Sequence, residues 1–405
     1  MFNNYVILPT IQRFMNKETQ RFISDNIDTD IHQLALQSIR YPLVDMPLAI
    51  RQINGKQKIK SKVPLFFNTD DILYPAQLSL EQSSSESTAK YKSSLCEGNR
   101  LVDLTGGFGV DCYFMAEKFV QVTYVERHTD LCKLARSNFK VLGRENIDVI
   151  MADSVHYLSK MDKVDWIYID PARRSESGKK VIFLSDCEPN VSDLAPLLLE
   201  KSGKVMIKLS PMLDITAAVR ELPTTSEIHI ISVENECKEV LLLLNQLTDN
   251  QKKIKTINIG KTKTAQIFEF NADEEINTSV TFTSEISKYL YEPNAAVMKS
   301  GAFKLIGSRY KLNKLHTNTH LYTSGNLSID FPGRVFEVQK VWTNSKNELK
   351  EMVSRISKAN ISTRNYPLSV DELRKKLKIK EGGDTYLIAC TVANEKRVIV
   401  ECKRV

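Results

Sequence analysis

The residues best suited to chemistry are three glycines between two acidic residues, Asp103 and Glu126. They lie in the stretch DLTGGFGVD and are Gly106, Gly107 and Gly109. Apolar residues predict a buried strand over residues 101–105, a helix over 111–118, and a second strand over 121–125 that ends on Glu126. A glycine turn between strand and helix lets the backbone approach a ligand closely, and an acid at the tip of the second strand can accept both hydroxyls of a ribose.

The glycine spacing distinguishes between two classes of nucleoside cofactor. A dinucleotide site follows G-x-G-x-x-G, which would need a glycine where Cys112 stands. The stretch D-L-T-G-G-F-G instead resembles motif I of class I S-adenosylmethionine methyltransferases, in the threonine-containing form often seen in enzymes that act on nucleic acids. A glycine turn in some other α/β domain is the alternative for this motif alone.

This resemblance implies S-adenosyl-L-methionine as the cofactor and an α/β fold with a Rossmann-like, seven-stranded sheet. The cofactor-binding residues that it implies are Asp103, Thr105, Gly106, Gly107, Phe108, Gly109, Glu126, Arg127, Asp153, Ser154 and Asp170. Asp153 follows the third predicted strand, where the family places an acid or amide against the adenine amino group. From the sequence alone, Asp153 is an ordinary helix cap.

A second candidate group is the sequence Asp-Pro-Ala-Arg, residues 170–173, at the end of the fourth predicted strand. Enzymes that methylate exocyclic base nitrogens use [DN]-P-P-[YFW], whose aromatic ring stacks on a flipped base. This chain retains Asp170 but has Arg173 in place of the aromatic residue. Uracil C5 enzymes tolerate D-P-P-R but need a nucleophilic cysteine, for which only Cys187 and Cys237 are near. Arg173 and three further basic residues of the following loop, Arg174, Lys179 and Lys180, could bind phosphate or could simply be solvated.

A different chemistry is suggested by Lys208, at the end of the fifth strand, and Glu239, at the start of the last. With Asp170 and Lys92 they resemble the Lys-Asp-Lys-Glu tetrad of ribose 2′-O-methyltransferases, in which a lysine of lowered pKa takes the hydroxyl proton. Lys92 stands closer to the first strand than the first lysine of that family does. Base and ribose methylation therefore both stay open.

Alternating strands and helices must position these residues. The predicted strands are residues 101–105, 121–125, 147–151, 164–169, 204–209, 227–233 and 239–244, and helices are predicted over 111–118, 130–142, 154–161, 191–200 and 215–222. Such alternation is typical of a doubly wound sheet. Residues 1–62 are predicted to be helical, closed by the basic run 56–62, followed by a loop or hairpin over 64–74 and a polar helix within 75–95. Beyond residue 249 come short strands, 254–259 and 266–270, and then a C-terminal α+β module.

The composition predicts two or three domains and a cytoplasmic location. The chain has 405 residues, of which 42% are hydrophobic. It has no run of about 20 apolar residues, and the start MFNNYVILPTIQRF lacks an export signal. The seven cysteines include no C-x-x-C pair, so we expect reduced and mostly buried thiols and no zinc site.

The positive charge is concentrated at the C-terminal end. Residues 334–405 contain 16 Lys and Arg against 9 Asp and Glu, whereas residues 1–333 contain 40 of each. A basic module beside a neutral one suggests a polyanionic partner such as RNA, because phosphate contacts supply most non-specific nucleic-acid affinity. A solvated basic surface is the alternative.

Across almost its whole length the chain resembles bacterial class I methyltransferases in which a ferredoxin-like segment precedes a THUMP-like C-terminal domain. The stretches that carry the resemblance are DLTGGFGVD, YIDPARR, KLSPMLDI, NECKE and ISTRNYPLSVDELRKKLKIKEGGDTYLIACTVANEKRV. It implies methylation of tRNA or rRNA, with a helical cap and cofactor-covering helix in residues 1–95, the catalytic domain in 96–272, the ferredoxin-like segment in 278–325 and the THUMP-like domain in 332–405. The alternatives are a catalytically inactive RNA-binding or scaffold protein on the same fold, and a methyltransferase acting on a protein or small molecule.

Overall fold

The computed structural model describes residues 15–173, 184–246, 251–262 and 264–405. The chain divides into two compact units. The first contains Met1–Ser226 and Leu241–Thr248, and the second contains Glu227–Val240 and Asp249–Val405.

The predicted α/β fold class is confirmed by the larger sheet. The strands up to residue 271 are β1 (Gly98–Asp103), β2 (Phe119–Glu126), β3 (Ile147–Met151), β4 (Val164–Ile169), β5 (Ala172–Arg173), β6 (Cys187–Glu188), β7 (Ser202–Leu209), β8 (Thr225–Val233), β9 (Glu236–Asn245), β10 (Lys253–Ile259) and β11 (Ala265–Asn271). In the described residues this sheet has nine strands in the order β11-β10-β8-β9-β7-β4-β1-β2-β3, and β5 pairs with β6 separately. The first strand thus lies in the middle of the sheet, as in a doubly wound fold.

The sheet extends the seven strands that the sequence predicted. β1 pairs in parallel with β2 and β4, β2 pairs in parallel with β3, and β4 pairs in parallel with β7. The two additional strands are β10, which runs parallel to β8, and β11, which is antiparallel to β10. Sequence periodicity identified both as strands, but it does not report which strand they pair with.

Eleven α-helices are described in the first unit. Those before the first strand are α1 (Lys17–Asp25), α2 (Ile31–Leu36), α3 (Met46–Lys62), α4 (Pro64–Asn68), α5 (Gln77–Gln82) and α6 (Glu86–Ser93). Those between strands are α7 (Val110–Met115), α8 (Thr129–Val141), α9 (Ser154–Lys160), α10 (Val191–Lys201) and α11 (Ile215–Glu221). No helix in the described ranges has the length and apolar character needed to cross a bilayer.

The first three helices form the predicted N-terminal helical cap around Phe22, Leu34 and Ile53. The basic run 56–62 closes α3 as predicted, because Lys60 and Lys62 in its last turn suit the negative end of the helix dipole. One detail of the prediction was wrong. The segment predicted as a loop or hairpin over 64–74 opens with the short helix α4, which has a proline at its first position.

The second unit contains the predicted C-terminal α+β module. Its further elements are α12 (Ala272–Asn277), β12 (Tyr289–Pro293), α13 (Ala295–Ser300), α14 (Leu305–Arg309), β13 (Asn313–Lys314), β14 (Tyr322–Ser324), β15 (Gly333–Thr343), α15 (Lys346–Arg355), β16 (Lys358–Arg364), α16 (Val370–Leu377), β17 (Lys380–Thr391) and β18 (Arg397–Arg404). Its sheet has the order β13-β14-β12-β15-β18-β17-β16. The predicted terminal hairpin is the antiparallel pair β17 and β18.

One hydrophobic core joins the ferredoxin-like and THUMP-like segments within this unit. β12 pairs antiparallel with β15, and Leu290 packs in the same cluster as Phe336, Ile388 and Val400. A cut near residue 332 would therefore split a continuous sheet. The predicted domain boundaries stay predictions.

The expectation of mostly buried thiols is confirmed. All seven cysteines are free, six of them are buried, and Cys237 is half-buried. Burial raises the pKa of the Cys390 thiol, on β17, to about 12.

This shift makes the folded protein sensitive to alkali. The unfolded thiol loses its proton above about pH 8.5 while the folded thiol keeps it, so stability is fully present below that pH and is lost as the pH rises toward the folded pKa. Between about pH 7 and about pH 10, Cys390 alone should lower the free energy of unfolding by about 2 kcal/mol. Urea unfolding of the wild type and of Cys390→Ala at both pH values should show a smaller alkaline loss in the variant. Equal losses would contradict this assignment.

Candidate active site

The glycine turn after β1 is built as the sequence predicted. Gly107 and Gly109 have φ of 55° and 84°, in the left-handed region that favours glycine. Gly106 is required for a different reason, because a Cβ there would lie 2.1 Å from the Tyr124 ring. The Tyr124 hydroxyl donates to the Gly107 carbonyl at 2.6 Å, which fixes the turn against β2.

Glu126, at the end of β2, faces this turn. Its Oε2 accepts from the Gly107 backbone N–H at 3.1 Å, and its Oε1 accepts from the His128 backbone N–H at 2.8 Å. The His128 ring Nδ1 also lies 2.6 Å from Oε1. A carboxylate has about four acceptor positions, so Glu126 is positioned by the backbone and can still accept from a ligand hydroxyl.

Asp103 lies at the centre of an acidic cluster. Its pKa is raised well above its ordinary value, mainly by burial and also by the nearby carboxylates of Asp111, Asp170 and Glu126. The backbone N–H of Thr105 acts in the opposite direction and lowers this pKa. That N–H donates to Asp103 Oδ1 at 3.0 Å. A ligand that brings hydroxyl donors or positive charge to this cluster would relieve the repulsion.

Asp170 is held next to the turn by its backbone and paired through its side chain. Its N–H donates to Thr105 Oγ1 at 2.7 Å. Its carboxylate, 33% exposed, forms an ion pair with Lys208, whose side chain is 11% exposed. Asp170 is thus the more accessible member of the pair.

A buried network behind this pair was missed in the sequence. Asp111 Oδ2 accepts from the Ser84 hydroxyl and from the Tyr168 hydroxyl, each at 2.7 Å. Lys92 Nζ lies 3.1 Å from Asp111 Oδ1, off the line of a hydrogen bond, so this contact is an ion pair. Lys208 Nζ lies 3.9 Å from Oδ2.

The charges in this network determine its protonation. Burial by itself raises the pKa of Asp111, but Lys92, Lys208 and the two hydroxyl donors outweigh it, so the pKa is lowered. Asp111 is therefore ionised. Because Lys92 is fully buried, it is not placed to meet a substrate as the first lysine of the tetrad interpretation would be.

One sequence signal could have revealed part of this network. Tyr168 and Asp170 stand two positions apart at the end of β4, and alternate residues of a strand share a face. Asp111 lies two residues after Gly109, and the sequence pattern identified it only as the start of a helix. Its pairing with Lys92, on α6, depends on how two helices pack, which is not encoded in local spacing.

The other predicted cofactor residues occupy defined positions near the turn. Phe108 is buried in an aromatic cluster, edge to face with Phe66 at 5.5 Å. Arg127 forms an exposed ion pair with Glu188 at 2.8 Å. Asp153 caps α9 by accepting from the His156 N–H at 3.0 Å, and Ser154 is the first residue of that helix. Their contacts with a cofactor stay predictions.

The structure describes only some of the remaining catalytic candidates. Arg173 pairs through its backbone with Cys187, which is buried. The basic residues Arg174, Lys179 and Lys180 lie outside the described residues. Glu239 is buried in β9, within the second unit, and its role stays a prediction.

The cysteines do not favour the uracil C5 interpretation. Burial is the main reason that the pKa of Cys237 is raised to about 11. A nucleophilic cysteine instead needs an accessible thiolate.

Comparisons with known proteins identify related domains and structures. Family models match a ferredoxin-like domain at residues 289–332 and a THUMP domain-like region at residues 333–404. A search of curated proteins finds no match. The crystal structure of a candidate methyltransferase from Porphyromonas gingivalis W83 is 33% identical, covers 98% of this chain and 100% of its own, and superposes with a TM-score of 0.88.

Two more distant structures match part of the chain. A modification subunit of a candidate type I restriction enzyme from Vibrio vulnificus YJ016 is 14% identical, with a TM-score of 0.35 over 49% of this chain and 56% of its own. An rRNA methylase from Streptococcus thermophilus is 14% identical, with a TM-score of 0.30 over 40% of this chain and 95% of its own.

Proposed function

We propose that this chain, which belongs to the same protein family as the Porphyromonas gingivalis candidate methyltransferase, transfers a methyl group from S-adenosyl-L-methionine to RNA. The observation that carries the proposal is the glycine turn after β1, with Asp103 and Glu126 at the ends of adjacent strands.

The described residues fit this cofactor. A Cβ on Gly107 would meet nothing nearer than the Thr105 carbonyl at 3.8 Å, which leaves room beside the turn. The acidic cluster around Asp103 suits a ligand that carries ribose hydroxyls and positive charge. In this assignment Glu126 accepts the ribose hydroxyls, Asp153 accepts from the adenine amino group, and Asp103 lies near the positively charged part of the ligand.

Bound S-adenosyl-L-methionine supplies a methyl carbon on a positively charged sulfur, and in-line transfer from it depends chiefly on positioning. Asp170 orients the acceptor and accepts its proton, because its carboxylate is the accessible end of the pair with Lys208. Lys208 holds that carboxylate in place. Asp111, in turn, positions Lys208 through the buried network.

RNA as the acceptor is supported by the C-terminal module. THUMP domains are associated with RNA, and the THUMP-like match covers the part of the chain that carries the excess of positive charge. The methylated atom is either an atom of a base or the 2′ oxygen of a ribose. The Asp-Pro-Ala-Arg sequence lacks the stacking aromatic residue of base-nitrogen enzymes, and the buried Lys92 weakens the ribose tetrad.

A second candidate function, an RNA-binding protein without catalysis, is favoured by the altered Asp-Pro-Ala-Arg sequence. An experiment that separates the two would incubate the protein with methyl-labelled S-adenosyl-L-methionine and total bacterial RNA from a strain lacking its gene. We expect the label in one nucleoside after digestion, and its chemical position would identify base or ribose. Cofactor binding without labelled RNA would instead support the binding protein or a non-RNA substrate.

The ribose assignment predicts the behaviour of Glu126→Ala. Two charge-assisted hydrogen bonds would be lost, so the affinity for S-adenosylhomocysteine should fall by about 100-fold or more in calorimetry. Asp130→Ala is a matched control, because Asp130 is exposed on the following helix and lies 3.9 Å from Lys133. Unchanged binding in Glu126→Ala, with the fold intact by circular dichroism, would remove Glu126 from the site.

A further inference from the structure

The second unit contains a polar cavity that the methyltransferase chemistry does not use. Its volume is about 580 Å³, within the range of small-ligand pockets, about 300–1,000 Å³. Three segments line it: the loop before β14, the segment after β16, and the turn between β17 and β18. The lining residues that matter here are His316, Asn318, Asn365, Tyr366, Glu395 and Arg397.

The walls of this cavity are fixed by hydrogen bonds between the segments. The Thr319 hydroxyl donates to the Thr391 carbonyl at 2.7 Å, and the Thr391 hydroxyl donates to the Asn365 carbonyl. The buried Lys314 ammonium donates to the Thr317 carbonyl at 2.7 Å and to the Thr319 carbonyl at 3.1 Å. The cavity is therefore preorganised, which lowers the entropic cost of binding.

The hydrogen bonds of His316 define which groups remain available to a ligand. Its Nδ1 accepts from the Asn318 backbone N–H at 3.1 Å, so the neutral ring carries its hydrogen on Nε2 and donates it to Glu395 Oε1 at 2.8 Å. Glu395, the single acid that lines the cavity, thus already accepts a hydrogen bond from His316. Among the described residues, the Asn318 amide and the exposed Arg397 guanidinium have no side-chain partner.

An aromatic ring completes the set. Tyr366 is half-buried, packs against the core that contains Trp342, and donates its hydroxyl to Asn344 Oδ1 at 2.9 Å. A supported ring, a free amide and a free guanidinium match the three parts of a nucleotide, namely the flat face of the base, its polar edge and its phosphate.

We propose that this cavity binds one unpaired nucleotide of an RNA strand, and this inference rests on the proposed function. The base lies on Tyr366, its edge meets Asn318, and the phosphate meets Arg397. A duplex keeps its bases stacked inside, so only a loop, bulge or end can enter. A phosphorylated peptide fits less well, because such sites use clusters of arginines and the cavity presents one.

The test uses the full chain and short fluorescent RNA oligonucleotides, single-stranded and duplex, in anisotropy titrations over a range of salt. The wild type should bind the single strand more tightly. Tyr366→Ala should weaken this binding by about fivefold or more, and Tyr366→Phe, which keeps the ring, should retain most of it. Arg397→Ala should weaken binding and lower the salt slope by about one phosphate contact. Lys396→Ala, which removes one positive charge outside the cavity, should weaken binding less than Arg397→Ala does.

Three results would overturn the proposal: unchanged binding in both Tyr366→Ala and Arg397→Ala, a preference for duplex, or a free mononucleotide that binds as tightly as the oligonucleotide. Labelling of RNA by methyl-labelled cofactor is measured in parallel. Labelled RNA with unaltered oligonucleotide binding in the variants removes the cavity and leaves the methyltransferase. Cavity-dependent binding without labelled RNA supports the cavity and counts against the enzyme.

Discussion

Replacement of Asp170 by alanine should lower methyl transfer by about 100-fold to 10,000-fold while cofactor affinity stays close to that of the wild type. The two effects separate because Asp170 contacts the glycine turn through its backbone N–H, which donates to Thr105 Oγ1 and survives the substitution. Its side chain, paired with Lys208, is what the acceptor would meet. Single-turnover labelling of RNA, together with calorimetry of S-adenosylhomocysteine, measures both quantities on one preparation.

Lys208→Met provides the companion variant. If Lys208 positions the Asp170 carboxylate, this variant should keep cofactor binding and lose part of the turnover, with a smaller effect than Asp170→Ala. Full turnover in Asp170→Ala would remove Asp170 from the site. A raised KM with unchanged kcat in both variants would indicate that the pair binds the acceptor without taking part in proton transfer.

Much of the first unit could be predicted because its signals are local. Strands β3 and β4 begin and end at the residues predicted, 147–151 and 164–169, since each is a short, mostly apolar run with a polar residue just before it, Asn146 and Lys163. The glycine turn is equally local, because glycine adopts the positive φ of Gly107 and Gly109 without strain.

What could not be predicted depends on contacts between distant segments. The strands predicted over 254–259 and 266–270 join the edge of the large sheet, and strand pairing is a tertiary property. Lys92 resembles the first lysine of the ribose methyltransferase tetrad by its place before the first strand, whereas the packing of α6 on α7 buries it against Asp111. Composition placed the excess of positive charge correctly in the C-terminal module but did not reveal a polar cavity there, since its walls come from three separated segments.

The Asp111 network leads to the largest expected effect on stability. Asp111→Ala would leave the ammonium of Lys92 fully buried without its carboxylate, and breaking one partner of such a pair costs about 3–5 kcal/mol of unfolding free energy. Lys92→Met should cost less, because Asp111 keeps Lys208 and the hydroxyls of Ser84 and Tyr168. Urea unfolding of both variants measures the difference.

The double variant decides whether the loss comes from the stranded charge. Lys92→Met added to Asp111→Ala should recover a large part of the stability, because the buried ammonium is then gone, although turnover should stay low since Lys208 has lost its supporting carboxylate. Lys90→Met, on the exposed side of α6 and paired with Glu86 at the surface, should change the free energy of unfolding by less than about 1 kcal/mol. If the double variant is as unstable as the sum of the two single variants, the two side chains are energetically independent, and Asp111 supports the site through its hydroxyl donors and Lys208 alone.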